Sequence, residues 1–93
     1  MKRVDRFLHD WRVDVEVKKL QPHVCFDSKI EYRIMATWEG SQEVTELAKM
    51  AIAESYEYVN IEVSSKSIYP DAGRIDFNVS EVVLKSLGLE ERK

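Results

Sequence analysis

His23 and Cys25 stand two residues apart, so a strand through them would present an imidazole and a thiol on one face, with His9 fourteen residues upstream. These groups bind metals and attack electrophiles. A structural zinc site takes about four such ligands, usually in close pairs. The chain has three, two histidines and one cysteine, so a second copy would be needed to complete a site. A thiol beside an imidazole is also the pairing of a cysteine nucleophile. No flanking signature accompanies it, and a lone cysteine is more often a small core or boundary residue. A surface histidine and a half-buried thiol is therefore the plainer expectation. A small metal- or thiol-dependent enzyme using His23 and Cys25 stands as the alternative, and no cofactor is expected.

The carboxylates offer acid–base chemistry if two of them share a site. Asp10, Asp14, Asp27, Asp71 and Asp76 are the candidates. Asp71 falls in a turn sequence. Asp14 and Asp76 alternate with basic residues on strand-like segments, where solvated ion pairs are the ordinary role.

Charge is distributed unevenly. Residues 1–38 carry eight basic and six acidic groups, residues 39–62 one basic and six acidic, and residues 63–93 five of each. The middle of the chain is thus an acidic pole within an overall net charge of −3. Its glutamates are Glu39, Glu43, Glu46, Glu54, Glu57 and Glu62. A surface of one sign selects a partner of the other, so a basic partner protein is the expected ligand of this face. The plainer alternative is a solvated helix face. The basic clusters, Lys2-Arg3 with Arg6 and Lys18-Lys19, are small. Nucleic acid, which asks for a basic stripe with exposed aromatics, is a weaker alternative.

Several elements would position these groups. Val4, Phe7, Leu8 and Trp11 fall at helical spacing and predict a short first helix. Trp11, Val13, Val15 and Val17 then alternate with charged residues and predict a strand. From Val24 to Trp38 every even position except Ser28 is apolar. Fifteen residues at about 3.3 Å each would span some 50 Å, beyond the roughly 30 Å breadth of a compact chain of this size. Either the chain turns at Asp27-Ser28-Lys29, making a hairpin, or one strand crosses into a partner. Opposed charges on its wet face are expected to pair with those of the first strand.

Gly40-Ser41 ends this run, and Ser41 is a good helix N-cap. The stripe Val44, Leu47, Ala48, Ala51, Ile52 and Tyr56 predicts a helix over roughly Gln42–Ser55. Val59, Ile61 and Val63 predict a third strand. Pro70-Asp71-Ala72-Gly73 reads as a turn, with Gly73 supplying a positive φ. Ile75, Phe77 and Val79 predict a fourth strand. Ser80 caps a last helix over Glu81–Leu87, closed by Gly88. Trp11 and Trp38 read as core anchors, and Tyr56, Tyr58 and Tyr69 as core or interface residues.

The order (α)ββαββα predicts one α+β domain over residues 1–93, with a main helix on a largely antiparallel sheet. Four strands leave two open edges, and no strand contains a proline to blunt one. An intertwined homodimer would satisfy those edges and enlarge a small core. Its interface is expected at Ile30, Tyr32, Ile34 and Trp38.

A single cysteine forms no intrachain disulfide and fits a reducing cytoplasm. The charged start Met1–Arg6 does not read as a secretory signal, and no apolar run approaches membrane-spanning length. Charged residues make up 33% of the chain, with two Gln and two Asn, a balance found in thermophile proteins. In size, charge density and lack of motifs, the chain resembles the small uncharacterised orphan proteins of hyperthermophilic archaea. That resemblance is compositional. It carries no functional residues over and implies no particular activity.

Overall fold

A computed structural model describes residues 1–21 and 30–89. The elements are α1 (Lys2–Leu8), β1 (Asp14–Lys19), β2 (Ile30–Trp38), α2 (Gln42–Ser55), β3 (Ile61–Ile68), β4 (Gly73–Ser80) and α3 (Glu81–Ser86). The α+β class and the element order match the periodicities of the sequence. All strand pairings are antiparallel, in one four-stranded sheet ordered β1-β2-β4-β3. The connection through α2 therefore passes over β4, and β2 and β3 run parallel with β4 between them.

Alternation decides which face is buried. Val17, Ile34, Ala36, Trp38, Ile61, Ile75, Phe77 and Val79 point to one side and are buried. The buried faces of the helices add Val4, Phe7 and Leu8 from α1, Val44, Ala48, Ala51 and Ile52 from α2, and Val83 and Leu84 from α3. Phe7 joins the layers. Its ring meets Trp38 edge-on with centroids 5.4 Å apart and Phe77 at 6.5 Å.

The capping residues act as their types dictate. Ser41 accepts from the Val44 N–H at 3.2 Å and Ser80 from the Val83 N–H at 3.2 Å. Gly88 closes α3 at φ +69°. Gly73 differs from expectation, since its φ is not positive. It is required by crowding instead. A Cβ there would lie 2.6 Å from the Ser67 carbonyl oxygen and 2.6 Å from the Trp38 ring.

Three apolar residues expected inside are outside. Trp11 is 88% exposed because α1 ends at Leu8 and the chain turns at once. The Asp10 carboxylate accepts from the Arg12 backbone N–H at 2.9 Å, closing a side-chain-to-backbone turn that swings Trp11 into solvent. The Arg12 guanidinium then sits 5.6 Å from the indole centroid. Tyr56 is the C-cap of α2, past its buried stripe, and Val59 precedes β3 in a turn. Both are exposed.

The alternating run from Val24 enters the described structure at Ile30. The nine-residue β2 spans about 30 Å, within the 40 Å longest dimension of the chain. The turn expected at Asp27-Ser28-Lys29 lies outside the described residues. Ile34 and Trp38 are buried by the chain's own helices, so neither needs a second copy to cover it, while Ile30 and Tyr32 are half-buried.

Candidate functional site

Of the metal and thiol candidates, only His9 is among the described residues. His23 and Cys25 lie outside the described residues. His9 Nε2 is 2.5 Å from the Leu87 carbonyl oxygen and 3.2 Å from Asp5 Oδ1, a position that ties α1 to the end of α3. Among the described residues no three His, Cys, Asp or Glu side chains cluster as a metal site.

The described aspartates are dispersed. Asp10 accepts from Arg12 Nε at 2.9 Å and from Arg12 Nη2 at 3.0 Å. This bidentate bond holds its carboxyl below the usual carboxylate range and raises the Arg12 guanidinium. Asp76 is buried on the helix-free face of the sheet. Its two oxygens accept from Arg74 Nε at 3.0 Å and Nη2 at 3.1 Å, raising the guanidinium, with Glu16 adding a smaller attraction. Asp14 is exposed on β1, opposite Thr37. Asp71 uses its backbone carbonyl to accept from the Ser41 N–H at 2.9 Å, linking the β3–β4 turn to the start of α2. Asp27 lies outside the described residues.

The six glutamates of the acidic segment do not share one face. Glu43 accepts from Arg12 at 3.1 Å and Glu46 from Lys49 at 3.3 Å. Glu54 is turned inward. It accepts from the backbone N–H groups of Arg3, at 3.1 Å, and Val4, at 3.2 Å, and so caps the start of α1 from another helix. Glu62 lies opposite Asn78 on the helix-free face. Glu39 and Glu57 are exposed beyond the two ends of α2. The spacing shows a helical run of acids, and the long-range duty of Glu54 leaves no local trace in it.

The helix-free face carries mixed charges in cross-strand rows. Lys18 stands opposite Arg33, whose Nε donates to Asn78 Oδ1 at 3.2 Å. Glu16 stands opposite Met35. The opposed-charge pairing expected between β1 and β2 is therefore absent among the described residues, and Lys18 faces a like charge.

The two edges of the sheet differ most. β3 is guarded. A register shift between Val63 and Ser65 breaks its alternation, so Lys66, opposite Ile75, points to the helix side. Its ammonium lies 5.9 Å from the Tyr56 ring centroid. A bulge is a device that keeps an edge from pairing, and Lys66 stays exposed beside it. Among the described residues β1 shows no register shift, although Lys19, opposite Tyr32, faces the helix side as Lys66 does. Its register against β2 is unbroken from Asp14 to Lys19, and its helix-side residues are Val15, Val17 and Lys19. An open cleft of about 1020 Å³ runs along it, from His9 and Leu89 on the helix side to Met35 and Arg74 on the other. No helix among the described residues is long and apolar enough to cross a membrane.

Compared with protein-family models, with curated proteins and with solved structures, the chain matches none.

Proposed function

We propose that the chain is a non-enzymatic interaction protein that works as a homodimer. The observation behind this reading is the asymmetry of the sheet, with the β3 edge interrupted by a register shift while β1 keeps an unbroken register against β2. Each chain supplies a continuous four-stranded sheet of its own, so pairing of whole subunits at an edge serves better than exchange of strands. Asp10 and Asp76 are bound to arginines, which suits structural roles for both carboxylates.

A basic partner on the acidic residues is narrowed by the same geometry. Glu54 is engaged inside the chain, Glu62 is on the far face, and Glu43 and Glu46 already hold cations. Native mass spectrometry over a range of protein concentrations tests the homodimer. A dimer mass is expected, and a monomer at every concentration overturns the proposal.

A further inference from the structure

We infer that two copies join through β1 in one antiparallel register, with Val17 on the two-fold axis and Glu16 of each copy opposite Lys18 of the other. This deepens the homodimer reading and rests on it. The backbone supplies the first constraint. The Leu20 N–H donates to the Glu31 carbonyl at 2.8 Å, continuing the β1–β2 ladder by one residue. Because hydrogen-bonded positions alternate along an antiparallel ladder, Asp14, Glu16 and Lys18 turn their backbone groups toward β2. Val15, Val17 and Lys19 turn theirs away, toward the open edge. These three residues are the ones a second strand must meet.

Side-chain facing supplies the second constraint. In a continuous sheet, opposed residues project to the same face, so odd positions meet odd and even meet even. Four symmetric registers then place the axis at an inner residue of β1, Val15, Glu16, Val17 or Lys18. With the axis at Val15, Asp14 opposes Glu16 of the partner twice. An axis at Glu16 sets two Glu16 carboxylates against each other between two Asp14–Lys18 pairs, and an axis at Lys18 sets two Lys18 ammonium groups against each other. Only the axis at Val17 pairs Glu16 with Lys18 at both ends, with Val17 against Val17 and Val15 against Lys19. The charged pairs fall at non-hydrogen-bonded positions, where side chains approach most closely.

Within the single chain Glu16 adds only a small attraction on Arg74, and Lys18 stands opposite Arg33. Glu16 and Lys18 are exposed, and among the described residues neither takes part in a salt bridge. Lys18 has Arg33 as its inner neighbour, so an anion on its outer side relieves a repulsion already present in the subunit.

Charge-swapped variants of the full chain, assayed by sedimentation equilibrium with far-UV circular dichroism as the folding control, test the register. Glu16→Lys alone and Lys18→Glu alone should each weaken dimerisation by roughly tenfold, since each change acts twice across the axis. The double variant should recover most of that loss. Val15→Pro removes an outward-facing N–H that β2 does not use, and should give a folded monomer. A wild-type monomer would overturn both this register and the homodimer reading. A dimer indifferent to the swaps and to Val15→Pro would overturn the β1 register alone. Weakening in both single variants without recovery in the double would overturn the Glu16–Lys18 pairing and leave β1 as the edge.

Discussion

Trp38 and Thr45, seven residues apart, are joined in the core by one hydrogen bond, from the indole Nε1 to Thr45 Oγ1 at 2.9 Å. The hydroxyl donates in turn to the Ser41 carbonyl at 3.1 Å. The last residue of β2 is thereby tied to the first turn of α2, and both buried polar groups are satisfied. Thr45→Val keeps the shape and leaves the indole N–H without its partner, which should cost about 1–3 kcal/mol. Trp38→Phe added to Thr45→Val should cost less than Trp38→Phe alone by the worth of that bond. Urea unfolding of the four proteins of the cycle measures it, and strict additivity would show that the bond contributes nothing.

Glu54 should behave unlike its neighbours in the acidic segment. It caps α1 across the helix pair, so Glu54→Ala should destabilise the fold by about 1–2 kcal/mol, as loss of a helix cap does. Glu46→Ala, which removes only an exposed bridge to Lys49, should stay within about 0.5 kcal/mol. Equal effects in thermal unfolding would contradict the capping role.

Gly73→Ala should be costly even though its φ is not positive. The added Cβ would meet a backbone carbonyl and the Trp38 ring, both at 2.6 Å. Overpacking of this kind costs typically about 1–3 kcal/mol, readable in the same urea titration. Gly40→Ala makes the comparison. Nothing lies within 4 Å of its Cβ, so any loss there comes from its φ of +75°.

Asp10 sets an acid dependence. Its folded-state pKa is lowered by the side-chain bond to Arg12, so its stabilising contribution is fully present above the unfolded value near 3.8. That contribution is lost as the pH falls from there through the folded value. Asp10→Asn should remove this component. Its stability profile between about pH 5 and pH 2 should be flatter than that of the wild type. Parallel profiles would show that the Asp10–Arg12 pair does not discriminate between folded and unfolded chains.

Local patterns carried much of the fold. The stripe of α2, the caps Ser41 and Ser80, and the alternations at Val13–Val17 and Ile75–Val79 each report on nearest neighbours along one element. Contacts between distant elements left no such trace. The Asp10–Arg12 turn overrides the helical spacing that placed Trp11 inside. The bulge near Ser64 reverses the facing of Lys66, which simple alternation puts on the helix-free face. The insertion of β4 between β2 and β3 is a choice of topology that no single strand encodes. Of the candidate site residues, His23 and Cys25 lie outside the described structure. The glutamates scatter because a run of acids fixes charge along the chain without fixing the direction in space.

Lys66 and the bulge beside it also bear on how far association can go. A strand edge is a point of growth, and a subunit with two of them could add neighbours without end, as fibrils do. On the proposed homodimer reading, a β3 edge interrupted by its register shift leaves each subunit one edge to pair, and one symmetric contact would exhaust its capacity. On that reading, a β3 strand without its register shift would give each subunit a second pairing edge and turn a self-limiting pair into a polymer precursor.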